Sequence, residues 1–335
     1  MCSKGLLKTS FIRRKIIDDS RRLLKSNVIR FEKLESNQSS IVLKPHPSDT
    51  AKLRSDSFGR FQCLRYLDLT CNRLESIENN MFERLSGLIE LKLSNNMIER
   101  IEENAFRGLA SMTTLKLDRN LIRKIDSKAF THTAALVEID FSCNSLEHLE
   151  KNLFTNLINL RVLRFSENEL ASLRTQMFTG LCNLECLYLN QNSINLIECN
   201  TFQCLNNLTK LDLSGNALDE LKHDIFNGPK NLKHIDLSSN FLQRFETFSY
   251  FQNLCHLTSL NLLNNEIKKI TKNTFKGLDN LVELNLHNNL IEKIEPGSFK
   301  NLNRLEIIDL TDNRSKRLNG DVLFEGMTHL KLRKL

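Results

Sequence analysis

Hydrophobic positions recur along this chain in one fixed frame. Counted from Leu64, positions 1, 4, 6, 11, 14, 19 and 22 are filled by Leu64, Leu67, Leu69, Leu74, Ile77, Phe82 and Leu85, and Asn72 holds position 9. Leu88 to Leu109 repeat the frame without a change of residue class. Positions 4 and 6 alternate with polar residues, the period-two signature of a short strand with one buried face. The asparagine recurs as Asn72, Asn96, Asn120, Asn144, Asn168, Asn192, Asn216, Asn240, Asn265, Asn289 and Asn313, always 24 residues apart except for one 25-residue step. A constant period of this size predicts a solenoid in which each unit adds one strand to a parallel sheet. The fold expected is an α/β solenoid with a curved inner sheet and an irregular or 3-10 outer side.

The frame also predicts what fills the interior. Phenylalanine returns at position 19 as Phe82, Phe106, Phe130, Phe154, Phe178, Phe202, Phe226, Phe275 and Phe299, an aromatic spine whose rings each bury ~150 Å² or more. Asparagine at position 9 sits where the chain leaves the strand with buried backbone groups unpaired, and its amide offers both a donor and an acceptor. Each should pair with backbone of its own and neighbouring units, and removing one should cost ~1–3 kcal/mol.

Boundaries follow from where the frame fails. Residues 1–40 are read as a basic leader, disordered or a short amphipathic helix, and 41–335 as the repeat array. Within the array, 41–63 form a worn first repeat with Leu43, Ser48, Leu53, Phe58 and Phe61 in frame, but with Pro45 at position 6, a residue suited to edge strands. Eleven repeats cover 64–329, the eighth carrying one extra residue and crowding Phe245, Phe248, Tyr250 and Phe251 where one aromatic is expected. A twelfth unit occupies 330–335 and stops in mid-strand, which predicts a fragment of something longer.

Charge narrows the partners. The net charge is +7, but residues 1–35 hold ten Lys and Arg against four Asp and Glu, so +6 lies in the leader and the array is nearly balanced. Without a concentrated basic face, nucleic acid is not an expected partner. No apolar run approaches the ~18 residues of a membrane span, and charges interrupt the leader where an export signal needs ~7–15 apolar residues. Membrane contact is left to a missing segment or to weak adsorption by the leader, where Ile12, Ile16, Leu23 and Leu24 oppose Arg14, Lys15, Arg21 and Lys25 on a helical projection.

Candidate chemistry is sparse. Nine cysteines, an odd number, show no framework spacing. Cys182, Cys186, Cys199 and Cys204 fall at different points round the coil, which argues against a zinc site, so no metal is expected. Cys182 and Cys204 come nearest to each other on adjacent turns and are a possible disulfide. Scattered histidines, no nucleophile elbow and no glycine-rich phosphate loop argue against an enzyme, a cofactor or a small-molecule substrate. N-glycosylation sequons occur at Asn37, Asn207 and Asn313, and the ladder role of Asn313 leaves Asn37 and Asn207 as the possible sites.

The unit Leu88–Leu109 resembles the 24-residue typical class of leucine-rich repeat, over residues 64–329. The chain is similar in this to the ectodomains of Slit, of Toll-type receptors and of receptors that join leucine-rich repeats to immunoglobulin domains. The resemblance implies a horseshoe, binding of a protein ligand on its concave face, and a place in a secreted or cell-surface receptor or matrix protein. The cysteine-rich caps that flank such arrays do not appear here, which keeps an intracellular adaptor as the alternative. On the concave face, position 5 reads Asp68, Lys92, Lys116, Asp140, Arg164, Tyr188, Asp212, Asp236, Asn261, Asn285 and Asp309. Lys92, Lys116 and Arg164, with Arg119, form a basic half, and Asp212 and Asp236 open an acidic one. Tyr188 and Phe241 are the candidate anchors, aromatic residues being the side chains that carry most interface energy.

Overall fold

The computed structural model describes residues 31–37, 40–45, 58, 63–243, 250–314, 323–324 and 327–334. The chain divides into two units, Met1–Leu160 and Arg161–Leu335. In the first, Tyr66–Asp68, Glu90–Lys92, Thr114–Lys116 and Glu138–Asp140 form parallel strands. Leu67, Leu91, Leu115 and Ile139 are aligned, so position 4 stacks on position 4. In the second unit the strands are Val162–Arg164, Cys186–Tyr188, Lys210–Asp212, His234–Asp236, Ser259–Asn261, Glu283–Asn285, Ile307–Asp309 and Leu332–Lys334. Their register runs from Leu163 through Leu187, Leu211, Ile235, Leu260, Leu284 and Ile308 to Arg333, which carries the frame into the twelfth repeat.

The spine is present in both units. Phe106 stacks on Phe130 at 5.7 Å, and Phe178 on Phe202 at 5.8 Å. Phe58 of the worn first repeat joins it, 5.7 Å from Phe82. In the eighth repeat, where four aromatics compete, Phe251 takes the place and stacks on Phe226 at 5.8 Å. Phe324, one residue late in its frame, still reaches Phe299 at 5.5 Å.

The outer side is irregular, and 3-10 helix is absent among the described residues. The reason is visible in the backbone bonds: Glu83 N–H to Asn80, Leu85 N–H to Phe82 and Leu88 N–H to Leu85 close separate i to i+3 turns rather than the unbroken run a 3-10 helix needs. Short parallel pairs, such as Arg100–Ile101 with Lys124–Ile125 and Lys269–Ile270 with Lys293–Ile294, tie some outer segments together. A second departure concerns the leader. Phe31–Asn37 pairs antiparallel with Ser40–Pro45, so strand occupies the end of the span read as disordered or helical, and the boundary drawn after residue 40 cuts into a hairpin. The amphipathic helix read from Ile12 to Lys25 lies outside the described residues.

The asparagine ladder works as a four-point joint. Asn96 Oδ1 accepts the N–H of Leu74 in the preceding repeat (3.1 Å), while Nδ2 donates to Leu69 of that repeat and to Leu93 of its own, both at 2.9 Å. The same pattern recurs at Asn216, which receives Ile194 N–H and donates to the carbonyls of Leu189 and Leu213. Asn72, Asn192 and Asn313 are partly exposed, the others buried.

Candidate functional site

The sheet face is shaped by what position 5 does. In seven strands it is Asp or Asn, and each time the side-chain oxygen accepts the N–H of position 7, from Thr70 to Asp68 (2.9 Å), Ser142 to Asp140 (3.0 Å) and Ser214 to Asp212 (3.1 Å). Ser238 to Asp236, Leu263 to Asn261, His287 to Asn285 and Thr311 to Asp309 complete the set. These are Asx turns, and they lead into position 8, one residue on, which is left-handed in every repeat with or without such a turn, with φ between 50° and 64° from Cys71 to Asp312. Only Gly215 fills that position with glycine, so the other repeats bear a steric cost of roughly 1–2 kcal/mol each, held in place by bonds such as Cys71 N–H to Ser94 (3.0 Å). Lys92, Lys116, Arg164, Tyr188 and, in the twelfth strand, Lys334 occupy the remaining position-5 sites, and their side chains lack the oxygen in reach that makes the turn bond. The acidic residues singled out as contacts are therefore structural first: Asp212 also takes the Ser214 hydroxyl (2.7 Å), and Asp236 takes the Ser238 hydroxyl (2.6 Å) and the Asn261 amide (3.0 Å).

In the first unit Lys116 and Lys92 are matched by acids. Lys116 lies 2.6 Å from Glu138 and 3.8 Å from Asp140, with its side chain only 23% exposed, and Lys92 is 3.4 Å from Glu90. Arg119 holds a left-handed position 8, its side chain exposed and its backbone N–H bound to the Ser142 carbonyl at 2.9 Å. In the second unit Arg164 and Lys210, one from each strand flanking Tyr188, stand 5.2 and 5.0 Å from the centre of its ring. That geometry is a double cation–π contact. Phe241 is not part of it: at position 10, past the ladder asparagine, it is 52% exposed on the side where the chain leaves the sheet. Met97 and Leu121, at the same position on consecutive repeats, are also exposed.

Two grooves adjoin this face in the second unit. One, of about 690 Å³, is lined by Lys210, His234, Asp236, Asn261, Asn285 and Asp309, among others. The other, of about 450 Å³, borders the strands' starting ends with Arg161, Asn183, Glu185, Asn207, Thr209 and Lys233 on its walls. At the far end of the first groove, burial works to raise the Asp309 carboxyl's pKa, but the hydroxyl and N–H of Thr311 and the ammonium of Lys334, 3.1 Å away, outweigh it and hold the pKa below the ordinary carboxylate value.

The remaining sequence candidates fall outside these features. All eight described cysteines are free thiols, so Cys182 and Cys204 are not bridged; they lie two frame positions apart, the first exposed and the second half-buried. Asn207 is exposed, yet its Nδ2, the atom a glycan would take, donates to the Cys182 carbonyl (3.0 Å) and Asn183 Oδ1 (3.1 Å). It belongs to a second amide ladder at position 24, with Asn159 bonded to Ala134, Asn231 to Asn206 and Asn280 to Cys255. Asn37 ends the first hairpin strand. Among the described residues no group of His, Cys, Asp and Glu is arranged to hold a metal, and no helix is long and apolar enough to cross a membrane.

Comparison with known proteins bears on the fold. The leucine rich repeat model matches residues 62–122, 111–170, 158–218, 207–257 and 255–314. A comparison with curated proteins finds no match. Among solved structures, the chain is similar to one from the complex of Toll and Spatzle of Drosophila, at 24% identity and a TM-score of 0.74, over 84% of this chain and 38% of that one. It is similar to the TLR13–ssRNA13 complex at 23% and 0.64, covering 86% and 49%, and to the LRIM1/APL1C complex at 21% and 0.69, covering 85% and 49%. The chain thus spans less than half the length of these neighbours, and at such identities the likeness is one of fold. With the family model matched along most of the sequence, the chain belongs to the leucine rich repeat family.

Proposed function

We propose that this chain is a non-catalytic recognition module that binds a protein ligand on its sheet face, as part of a secreted or cell-surface receptor or matrix protein. The observation that carries the reading is the division of position 5: Asp and Asn are spent on strand-end turns, while Lys92, Arg164 and Tyr188 stand on the face with no such task. Rigid strands present them in fixed register, and an aromatic flanked by cations is the composition expected of an interface anchor. Toll with Spatzle and LRIM1 with APL1C, both of this fold, are seen in complexes with proteins, which supports the same use here. TLR13 is seen with an RNA, so nucleic acid is the rival ligand to test.

The test compares two charge reversals whose folding is checked by circular dichroism. Lys92→Glu with Arg164→Glu alters the sheet face, and Lys272→Glu alters the outer side. Partners captured by the native chain should be lost with the first and kept with the second; the opposite pattern overturns the reading. Direct titration with a single-stranded RNA should give no binding at physiological salt.

One observation favours a cytoplasmic adaptor instead. Cys63, Cys71, Cys182 and Cys255 are exposed free thiols, a condition that oxidising compartments disfavour. Expression through a secretory route decides between them: a monomeric product with free thiols supports the extracellular reading, and disulfide-linked aggregates support the adaptor.

A further inference from the structure

We propose that the chain self-associates: the edge of the first unit where the chain leaves the sheet docks against the corresponding edge of the second unit in another copy. This edge adjoins the sheet face, and the inference does not depend on what that face binds.

Apolar exposure marks the edge. Of the seven large apolar side chains exposed among the described residues, three stand at position 10: Met97 and Leu121 in the first unit and Phe241 in the second. Each is bracketed by buried neighbours, Asn96 and Ile98, Asn120 and Ile122, Asn240 and Leu242, so it cannot turn inward to the core. Backbone bonds pin all three, from Met97 N–H to the Leu74 carbonyl (2.9 Å), Leu121 to Ile98 (3.0 Å) and Phe241 to Leu218 (2.8 Å). Met97 and Leu121 come from consecutive repeats, so they form a patch rather than scattered residues.

Charge names the occupant. Positions 8 and 10 flank the ladder asparagine and share this edge. From Cys71 to Ser145 they hold Arg73 and Arg119 and no acid. From Glu167 to Arg314 they hold Glu167, Glu169, Glu266 and Asp312 against one base, Arg314, which lies 3.7 Å from Glu292. Arg73, Arg119, Glu167 and Glu169 have no ion-pair partner among the described residues. Asp118, one place nearer the sheet than Arg119, is taken by the Ser94 hydroxyl. Positions 12 and 13, farther round the coil, are balanced among the described residues of each unit: Glu75, Glu99 and Glu147 against Arg100, Arg123 and Lys124 in the first, and Asp219, Glu220 and Glu292 against Lys268, Lys269 and Lys293 in the second. The sorting by sign is therefore confined to the rows that carry the exposed apolar side chains. One chain bears both halves of a complementary pair, basic and apolar in the first unit, acidic and apolar in the second, and a second copy supplies the complement of each. Two copies related by a two-fold axis make the contact twice, Met97 and Leu121 meeting Phe241 while the arginines meet the glutamates.

Analytical ultracentrifugation of the full chain over a dilution series tests this. The native mass should rise from monomer to dimer with concentration, and the association should weaken as salt is raised. Two variants exchange the signs using residues the frame already accepts: Arg73→Glu with Arg119→Glu, since Glu169 and Glu167 stand at positions 10 and 8, and Glu169→Arg with Glu266→Arg, since Arg73 and Arg314 stand at position 10. Each variant alone should associate about tenfold more weakly or worse, and an equimolar mixture of the two should recover association, because each then offers the sign the other needs. Phe241→Ser should also weaken it, while Lys92→Glu with Arg164→Glu, on the sheet face, leaves it unchanged. A native chain that stays monomeric throughout, variants that associate as the native chain does, or a mixture that fails to recover although both variants keep the native circular dichroism would each overturn the proposal. Association lost only with the sheet-face pair would move the contact to that face and overturn it too. If that pair abolishes capture of a ligand and association persists, the edge stands as a surface of its own.

Discussion

In the unit ending at Leu160, Lys116 on the sheet face lies against Glu138 and Asp140 of the next strand; in the unit beginning at Arg161, the cations beside Tyr188 lean on an aromatic ring. In the sequence Lys116 and Arg164 belong to the same basic half of position 5. The first is neutralised in place and half-buried, so it contributes more to holding its strands than to meeting a ligand. In the second, Lys210 has no carboxylate within ion-pair distance among the described residues and keeps its charge, because a ring attracts a cation without cancelling it. Charge read from a sequence locates ionised groups, and only the neighbours one repeat away decide whether that charge is available.

This contrast can be tested by separating what the two regions share from what they do not. The largest effect should be the shared one. Asn120→Ala in the first unit and Asn216→Ala in the second each remove a buried joint, and each should lower stability by ~2–3 kcal/mol in urea unfolding. A much smaller loss in either region would mean that its repeats are held by something other than the ladder. Next comes the turn role of position 5. Asp236→Ala frees an N–H, a hydroxyl and an amide, at a cost of ~1–2 kcal/mol, whereas Lys92→Ala at the same frame position should stay within ~0.5 kcal/mol.

A smaller difference separates the lysines themselves. Lys116→Met should cost ~0.5–1 kcal/mol by leaving Glu138 and Asp140 facing one another, and Lys210→Met should leave the unfolding midpoint unmoved. The smallest effect is in acid. The carboxyl of Asp309 has a folded pKa below its ordinary value of 3.8, so its stabilisation is complete above that value and is lost as pH falls through the folded pKa. Lys334→Ala weakens that depression, and the acid-unfolding midpoint should move slightly upward.

Much of this architecture is legible in the sequence because it is periodic. The asparagine joints, the phenylalanine spine and the strand register each repeat at a fixed offset, and repetition makes a weak local signal strong. Even the crowded eighth repeat obeys it, since Phe251 fills the slot that the spine requires. The site was harder to read, for reasons that are also physical. Asp or Asn at position 5 looks like ligand chemistry until the left-handed residue at position 8 is known, and φ leaves little trace when Cys71, Arg119 and Gln191 all adopt it. A signal did exist: a residue able to make an Asx turn recurs at position 5 in seven strands, and the exceptions are the candidates for recognition. The pairing of Lys116 with Glu138 joins residues 22 apart in the chain, and it becomes visible only once the repeats are laid side by side. The hairpin of Phe31–Asn37 and Ser40–Pro45 stands outside the period and had no frame to announce it.

The ladder also has a direction, and direction matters while the chain is being made. The N–H of Leu74 waits for Asn96, that of Ile98 for Asn120, and that of Ile122 for Asn144, each acceptor lying 22 residues nearer the C-terminus. A repeat emerging from the ribosome thus lacks the ladder acceptor for this N–H until its successor has been synthesised. Until then that one donor is left to water, so each coil is completed by the coil that follows it.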